Sequence, residues 1–146
     1  MAEQLRILGV GDAKSINFLR WAWRVSERGH EVTLVSNRFS THAGELDGMT
    51  VLDVRRLNGA TRLPVLRRSA IPAGIGRLAE RLDVDLVHAH YLLPYGWWTA
   101  TAGTHPFVAS PWGTDILIDA GKEPGRTRAR AALDAADAVV VNSEAN

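Results

Sequence analysis

Short apolar runs alternate with polar and amphipathic segments along the chain, and this pattern predicts strands and helices in alternation. The apolar runs predict six strands, at Leu5–Val10, Glu31–Ser36, Met49–Val54, Asp85–Ala89, Phe107–Ser110 and Ala138–Val141. The segments between them predict four helices, at Ile16–Arg28, Ala73–Leu82, Pro94–Ala102 and Arg126–Ala136. Strands that alternate with helices form parallel sheets. The predicted fold is therefore α/β, a Rossmann-like doubly wound parallel sheet of about six strands with helices on both faces.

The first predicted helix has recognisable boundaries and an apolar face. Ser15 can cap its N-terminus, and Gly29 can supply the left-handed residue that ends it. At the three- and four-residue spacing, one face carries Ile16, Leu19, Ala22, Trp23 and Ser26. We expect this face to pack on the sheet.

The composition narrows the class of protein. The 146 residues fit one domain, residues 1–146, and they contain no cysteine, which excludes disulfides and thiolate chemistry. The formal net charge of +1 lacks the basic excess of a nucleic-acid-binding protein. Neither a signal peptide nor an apolar run long enough to span a membrane is evident. We therefore expect a cytoplasmic protein that binds no nucleic acid.

Two of the predicted strands run directly into polar, glycine-bearing loops. One is the segment Asp85–Tyr91, and the other is Ser110–Asp115. Open parallel sheets bind ligands beyond the carboxyl ends of their strands. We therefore predict a binding crevice at this edge, faced by His90, Tyr91 and Trp112.

Metal binding is not expected at these loops. His88 and His90 share one face of a strand, but Asp115 is the only further ligand in prospect, and no standard ligand spacing occurs. His88, one pleat repeat deeper than His90, is expected to be structural. The D-x-D sequence Asp83–Asp85 precedes its strand, at the sheet edge opposite the predicted crevice, and is interpreted as a strand-entry loop.

A partial dinucleotide-binding fingerprint occupies the first strand-to-helix turn. Gly9 and Gly11 match the first two glycines of G-x-G-x-x-G, but Lys14 stands in place of the third. No acid follows the second strand, although Arg38 could meet a 2′-phosphate. An NADP-binding oxidoreductase domain is therefore one alternative. The simpler interpretation is a turn whose free N–H groups can meet an anion.

Five arginines lie close together with no acid between them, at Arg55, Arg56, Arg62, Arg67 and Arg68. A solvated loop is the favoured interpretation. The functional one is an attraction for phosphorylated acceptors or for anionic lipid headgroups, which would place the protein peripherally at the inner face of the membrane.

Several segments, taken in order, resemble a known family. They are Ile7–Asp12, Glu27–Val32, Asp85–Tyr91 with Gly96, Ser110–Asp115 and Ala136–Ser143. Their order and spacing resemble the N-terminal domain of retaining GT-B glycosyltransferases of family 4. The resemblance covers nearly the whole chain, and it depends on the ordered set, since no single segment is decisive.

The resemblance implies half of a GT-B fold. In such enzymes two Rossmann-like domains face each other across a cleft, with the acceptor held mainly by the N-terminal domain and the nucleotide-sugar donor by the C-terminal one. This chain would be the acceptor-binding half, inactive alone, of an enzyme that glycosylates a sugar, lipid-linked or small-molecule acceptor without a metal or other cofactor. Its expected partner is a C-terminal donor-binding domain or subunit, absent from this sequence. Self-association through the exposed cleft face is also expected.

The resemblance also implies the site residues. The turn of Gly11, Asp12, Lys14 and Ser15 would approach the donor diphosphate or the acceptor. His90, Tyr91 and Gly96 would line the acceptor side, and Trp112 stands where many relatives carry a histidine that touches the donor sugar. Gly113, Thr114 and Asp115 would lie beside it. A non-enzymatic interaction domain is the remaining alternative.

Overall fold

In a computed structural model, residues 3–39, 49–57 and 70–141 are described. Within these ranges the strands are β1 Arg6–Val10, β2 Glu31–Ser36, β3 Thr50–Asp53, β4 Leu86–His90, β5 Phe107–Ser110 and β6 Ala138–Val139. The α-helices are α1 Ile16–Glu27, α2 Ile71–Arg81, α3 Trp97–Ala102, α4 Thr114–Leu117 and α5 Gly125–Ala135. All neighbouring strands are parallel, in the order β3-β2-β1-β4-β5-β6. The predicted Rossmann-like fold is confirmed.

Apolar residues form one core on each face of the sheet. Helices α2, α3 and α5 pack on one face, where Ile75, Trp98 and Ala132 belong to a single buried cluster. Helix α1 covers the other face with Phe18, Leu19 and Ala22. This two-sided arrangement explains why the central strands are apolar along most of their length.

The face predicted for α1 was wrong in part. Phe18, Leu19 and Ala22 are buried, whereas Ile16 is 58% exposed and Trp23 is 42% exposed. The helix is rotated so that the rings of Phe18 and Trp21 lie over β1. Two glycines make room for them: a Cβ on Gly9 would be 2.8 Å from Trp21, and one on Gly11 would be 2.9 Å from Phe18.

Gly11→Ala is therefore expected to destabilise the protein by about 1–3 kcal/mol, because the Phe18 ring is fully buried and has no free space to move into. The measurement is the free energy of unfolding from urea titration. Gly121→Ala is the matched control, since a Cβ there would meet nothing within 4 Å. Equal stabilities for the two variants would contradict this account of Gly11.

Several segments differ from the predicted elements. The single helix predicted at Pro94–Ala102 is a π-helical turn, Leu92–Gly96, followed by α3. Strand β3 ends at Asp53, and a 3₁₀ turn at Val54–Arg56 follows it. A second 3₁₀ turn, at Asp119–Gly121, and helix α4 were not predicted as elements. Strand β6 ends at Val139, two residues earlier than expected. These differences lie at the carboxyl ends of strands or beyond them, where loop contacts rather than apolar periodicity determine the backbone.

The D-x-D sequence fastens the opposite edge of the sheet. The Asp85 carboxylate accepts a hydrogen bond from the Arg6 backbone N–H at 2.7 Å. Asp83 pairs with the Arg6 guanidinium at 2.8 Å. Both contacts join the start of β1 to the entry of β4, which agrees with the interpretation as a strand-entry loop.

Candidate functional site

The strand order reverses between β1 and β4, which makes their carboxyl ends the expected place for a ligand in a sheet of this kind. The loops after β4 and β5 meet there, because Tyr91 and Trp112 follow strands that are hydrogen-bonded neighbours. The loop after β1 lies at the same edge, where the Ala13 N–H donates to Ser36 Oγ at 3.0 Å.

The β1 loop is held by its own polar groups. Asp12 accepts a hydrogen bond from the Lys14 N–H at 2.9 Å and forms an ion pair with Arg38 at 3.2 Å. Ser15 precedes α1, but its side chain makes no capping hydrogen bond. The first turn of α1 carries no acid, so its N–H groups have no carboxylate of their own to meet. Lys14 is exposed beside them.

This geometry weakens the NADP alternative. The second glycine of a dinucleotide fingerprint lets the cofactor approach the backbone. Here the space beside Gly11 is taken by the Phe18 ring. Arg38, which would meet a 2′-phosphate, is paired with Asp12 instead.

The two histidines of β4 lie beneath α1. His90, predicted to face the crevice, is only 4% exposed and packs between Trp21, at a ring-centroid distance of 4.3 Å, and His88, at 4.1 Å. The prediction for His90 is therefore corrected, because the alternation of β4 turns its side chain towards α1. His88 is structural as expected, with Nε2 2.7 Å from Ser110 Oγ.

Both histidines are neutral at physiological pH. Burial lowers the pKa of His88 to about 4. Burial, together with neighbouring His88, lowers the pKa of His90 well below its usual value of 6.5. His90 Nε2 is buried and has no partner among the described residues. The edge-on contact of His90 with Trp112, at 5.8 Å between centroids, makes this aromatic cluster the support beneath the half-buried Trp112.

Asp115 joins the loops after β4 and β5. Its side chain is completely buried, and one oxygen accepts the Leu92 N–H at 2.7 Å. The other oxygen accepts the N–H groups of Trp112, at 2.9 Å, and Ile116, at 3.2 Å. Since the carboxylate is enclosed by backbone donors, the structure gives Asp115 a positioning role.

Tyr91 points to the opposite side of the sheet edge from His90. Its φ of 76° is left-handed, a conformation that L-residues rarely adopt. The phenol donates to Asp119 Oδ2 at 2.7 Å and lies 3.0 Å from Thr114 Oγ1. Burial raises the pKa of Tyr91, and the Asp119 carboxylate adds to the rise, so the phenol keeps the proton that it donates. Sequence patterns did not indicate Asp119, which lies 28 residues from Tyr91.

The remaining predicted residues are Gly96, Gly113 and the arginine group. Gly96 is buried, with a virtual Cβ 3.4 Å from Ala132 of α5, so it offers no open surface to an acceptor. Gly113 has a φ of 101° and begins α4.

Arg55 is paired with Asp53 at 2.8 Å, while the Arg56 side chain is 88% exposed. The other members of the arginine group, Arg62, Arg67 and Arg68, lie outside the described residues.

Two absences apply to the described ranges. They contain no group of three or more His, Cys, Asp or Glu side chains arranged to hold a metal ion. They also contain no helix that is both long and apolar enough to cross a membrane.

Comparison with known proteins gives the same fold. Residues 6–143 match the family model described as glycosyl transferase 4-like. A Listeria monocytogenes structure assigned as a UDP-N-acetylglucosamine 2-epimerase aligns with a TM-score of 0.70 at 13% identity, over 95% of this chain and 39% of that one. A glycosyltransferase from Rickettsia africae aligns with a TM-score of 0.53 at 19% identity, over 81% and 34%. No curated protein matches the chain. The chain thus spans less than half the length of either structure, and these identities show the fold alone.

Proposed function

Because the chain belongs to the glycosyl transferase 4-like family, we propose that it is the N-terminal, acceptor-binding half of a retaining glycosyltransferase that uses a nucleotide-sugar donor. The observation that carries the proposal is the convergence of the loops after β4 and β5 beside the strand-order reversal, through Tyr91, Thr114 and Asp115. A rigid edge of this kind can hold an acceptor hydroxyl in a fixed place, which is the main contribution of binding to a transfer reaction.

The chemistry divides between two domains. The acceptor hydroxyl forms a bond to the anomeric carbon as the bond to the nucleoside diphosphate breaks, on the same face of the sugar. The leaving phosphate takes the hydroxyl proton, so the reaction needs neither a metal nor an enzyme nucleophile. This chain orients the acceptor, and its Trp112 lines the site. The charge on the diphosphate is stabilised by hydrogen-bond donors of the second domain. The chain alone is therefore inactive.

Three exposed apolar side chains support a docking face for that second domain or subunit. They belong to Ile116, Leu117 and Ile118, which follow the Trp112 loop at the carboxyl edge of the sheet. Large exposed apolar residues that occur together usually mark an interface. The same face would account for self-association when the partner is missing.

Peripheral contact with an anionic membrane surface on the cytoplasmic side is proposed for the arginine group. Arg55 and Arg56 share one acidic partner, Asp53, at 2.8 Å and 3.9 Å, so the pair keeps a net positive charge. The 88% exposed side chain of Arg56 supports the proposal.

An amide-resolved NMR titration of this chain with UDP-, GDP- and ADP-sugars and with NADPH tests the proposed function. We expect at most weak shifts, confined to Gly11–Ser15, because the donor-binding groups belong to another domain. Tight binding of NADPH centred on Gly9–Lys14 and Arg38 would overturn the proposal in favour of an oxidoreductase domain. Tight binding of a nucleotide-sugar by this chain alone would contradict its assignment as the acceptor half.

A further inference from the structure

Three polar side chains from separate segments converge on the open side of the carboxyl edge. They are Tyr91 after β4, Thr114 at the start of α4 and Asp119 in the following 3₁₀ turn. Thr114 and Asp119 are exposed, and Tyr91 is half-buried. Within the described residues, no Lys, Arg or His lies within 4 Å of the Asp119 carboxylate to form an ion pair.

The fold holds these groups in place at a cost in backbone strain. Tyr91 keeps its left-handed φ of 76° through two backbone bonds, from its own N–H to Ser110 O at 2.9 Å and from the Gly96 N–H to its carbonyl at 3.1 Å. Gly125 packs so closely on Asp119 that an added Cβ would overlap the Asp119 carbonyl oxygen. An exposed hydrogen bond contributes little to stability. Strain retained for an exposed contact indicates a role in function.

The hydrogen-bond inventory identifies the complementary ligand. A carboxylate can only accept, so the Tyr91 phenol must donate to Asp119. The phenol oxygen is then left to accept a hydrogen bond from the Thr114 hydroxyl across the 3.0 Å contact. What remains open is a set of acceptors only: Asp119 Oδ1, which has no bond among the described residues, and the lone pairs of Thr114 Oγ1. A ligand for this cluster must bring donors, and a phosphate or carboxylate would be repelled.

We propose that Tyr91, Thr114 and Asp119 form a subsite for neighbouring hydroxyl groups of an uncharged sugar or polyol, which is the part of the acceptor held closest to the β4 and β5 loops. The proposal deepens the acceptor-binding function given above and rests on it. An anionic part of the acceptor would be repelled by the Asp119 carboxylate and is expected to lie away from this cluster.

The test is an NMR titration of the chain with methyl α-D-glucopyranoside, methyl α-D-mannopyranoside and myo-inositol, and separately with ethanolamine. At least one of the uncharged probes is expected to shift the amides of Tyr91, Thr114 and Asp119. Asp119→Asn keeps the size of the side chain but turns an exposed acceptor into a donor, and it is expected to weaken that binding by about tenfold, as the loss of a hydrogen bond to a charged group implies. Asp134→Asn, on the exposed face of α5, is the matched control and should bind like the unmodified chain.

Any other outcome contradicts the proposed subsite. Binding of ethanolamine alone would assign the cluster to an ammonium group. Shifts confined to other residues, no shift with any probe, or unchanged affinity in Asp119→Asn would remove it. Unchanged urea midpoints in both variants confirm that folding is not the cause of any loss. Failure of this test leaves the family function standing, whereas tight NADPH binding would remove that function without moving these amides.

Discussion

Replacing Asp115 by alanine is expected to lower the free energy of unfolding by about 2–4 kcal/mol, which is a large part of the stability of a domain of this size. The carboxylate is fully buried and accepts backbone N–H groups from two loops, at 2.7 Å from Leu92 and 2.9 Å from Trp112. Removing it leaves the Leu92 N–H without its partner in a completely buried residue. Each such loss costs a desolvation penalty in addition to the hydrogen bond.

Urea unfolding at neutral pH measures the effect, and Asp115→Asn is expected to show a smaller loss of stability. The amide keeps one acceptor oxygen, so it can hold one of the two loops, and a loss of about 2 kcal/mol is expected. Faster hydrogen exchange at the Leu92 or Trp112 amide would show which loop is released. Asp134→Asn, an exposed carboxylate on α5, should change stability by less than about 0.5 kcal/mol. An Asp115→Ala protein as stable as this control would refute the positioning role.

The order of the strands along the chain could be predicted, because it depends on local patterns of apolar and polar residues. Each predicted strand is present, and the turn at Gly29 has the expected left-handed φ of 90°. The buried face of α1 was harder to predict, because two neighbouring faces of the helix carry apolar residues. The orientation of the helix depends on the space that Gly9 and Gly11 leave for the rings of Trp21 and Phe18, and this fit is a tertiary contact.

The meeting of the loops after β4 and β5 was predictable, but their internal contacts were not. Glycine-bearing segments follow two strands, and the carboxyl ends of parallel strands share one edge of the sheet. The burial of His90 was not predictable, because it depends on the rings of Phe18 and Trp21 that pack over it from α1. The direction of Tyr91 was not predictable, because its own positive φ of 76° lies outside the strand conformation. Asp119 was not predicted as a site residue, because its partner Tyr91 is 28 residues away and no short sequence motif indicates the contact.

The buried histidine pair is expected to make stability strongly dependent on pH. The pKa of folded His88 is about 4, against 6.5 for the free side chain, and the pKa of His90 is lowered in the same direction. Between these values the unfolded chain binds more protons than the folded one. The free energy of unfolding therefore falls as the pH falls, and His88 alone accounts for about 2 kcal/mol between about pH 7 and about pH 5. His90 adds to the loss.

His90→Phe isolates the second contribution. The substitution keeps an aromatic ring between Trp21 and His88, removes a buried nitrogen that has no partner, and removes a group that resists protonation. The variant should therefore lose less stability than the unmodified protein when urea unfolding at about pH 7 and about pH 5 is compared. Asp134→Asn, at an exposed position of α5, is the control, and its loss of stability between the two pH values should match that of the unmodified protein. If His90→Phe lost as much stability on acidification as the unmodified chain, the buried neutral state of His90 would be refuted.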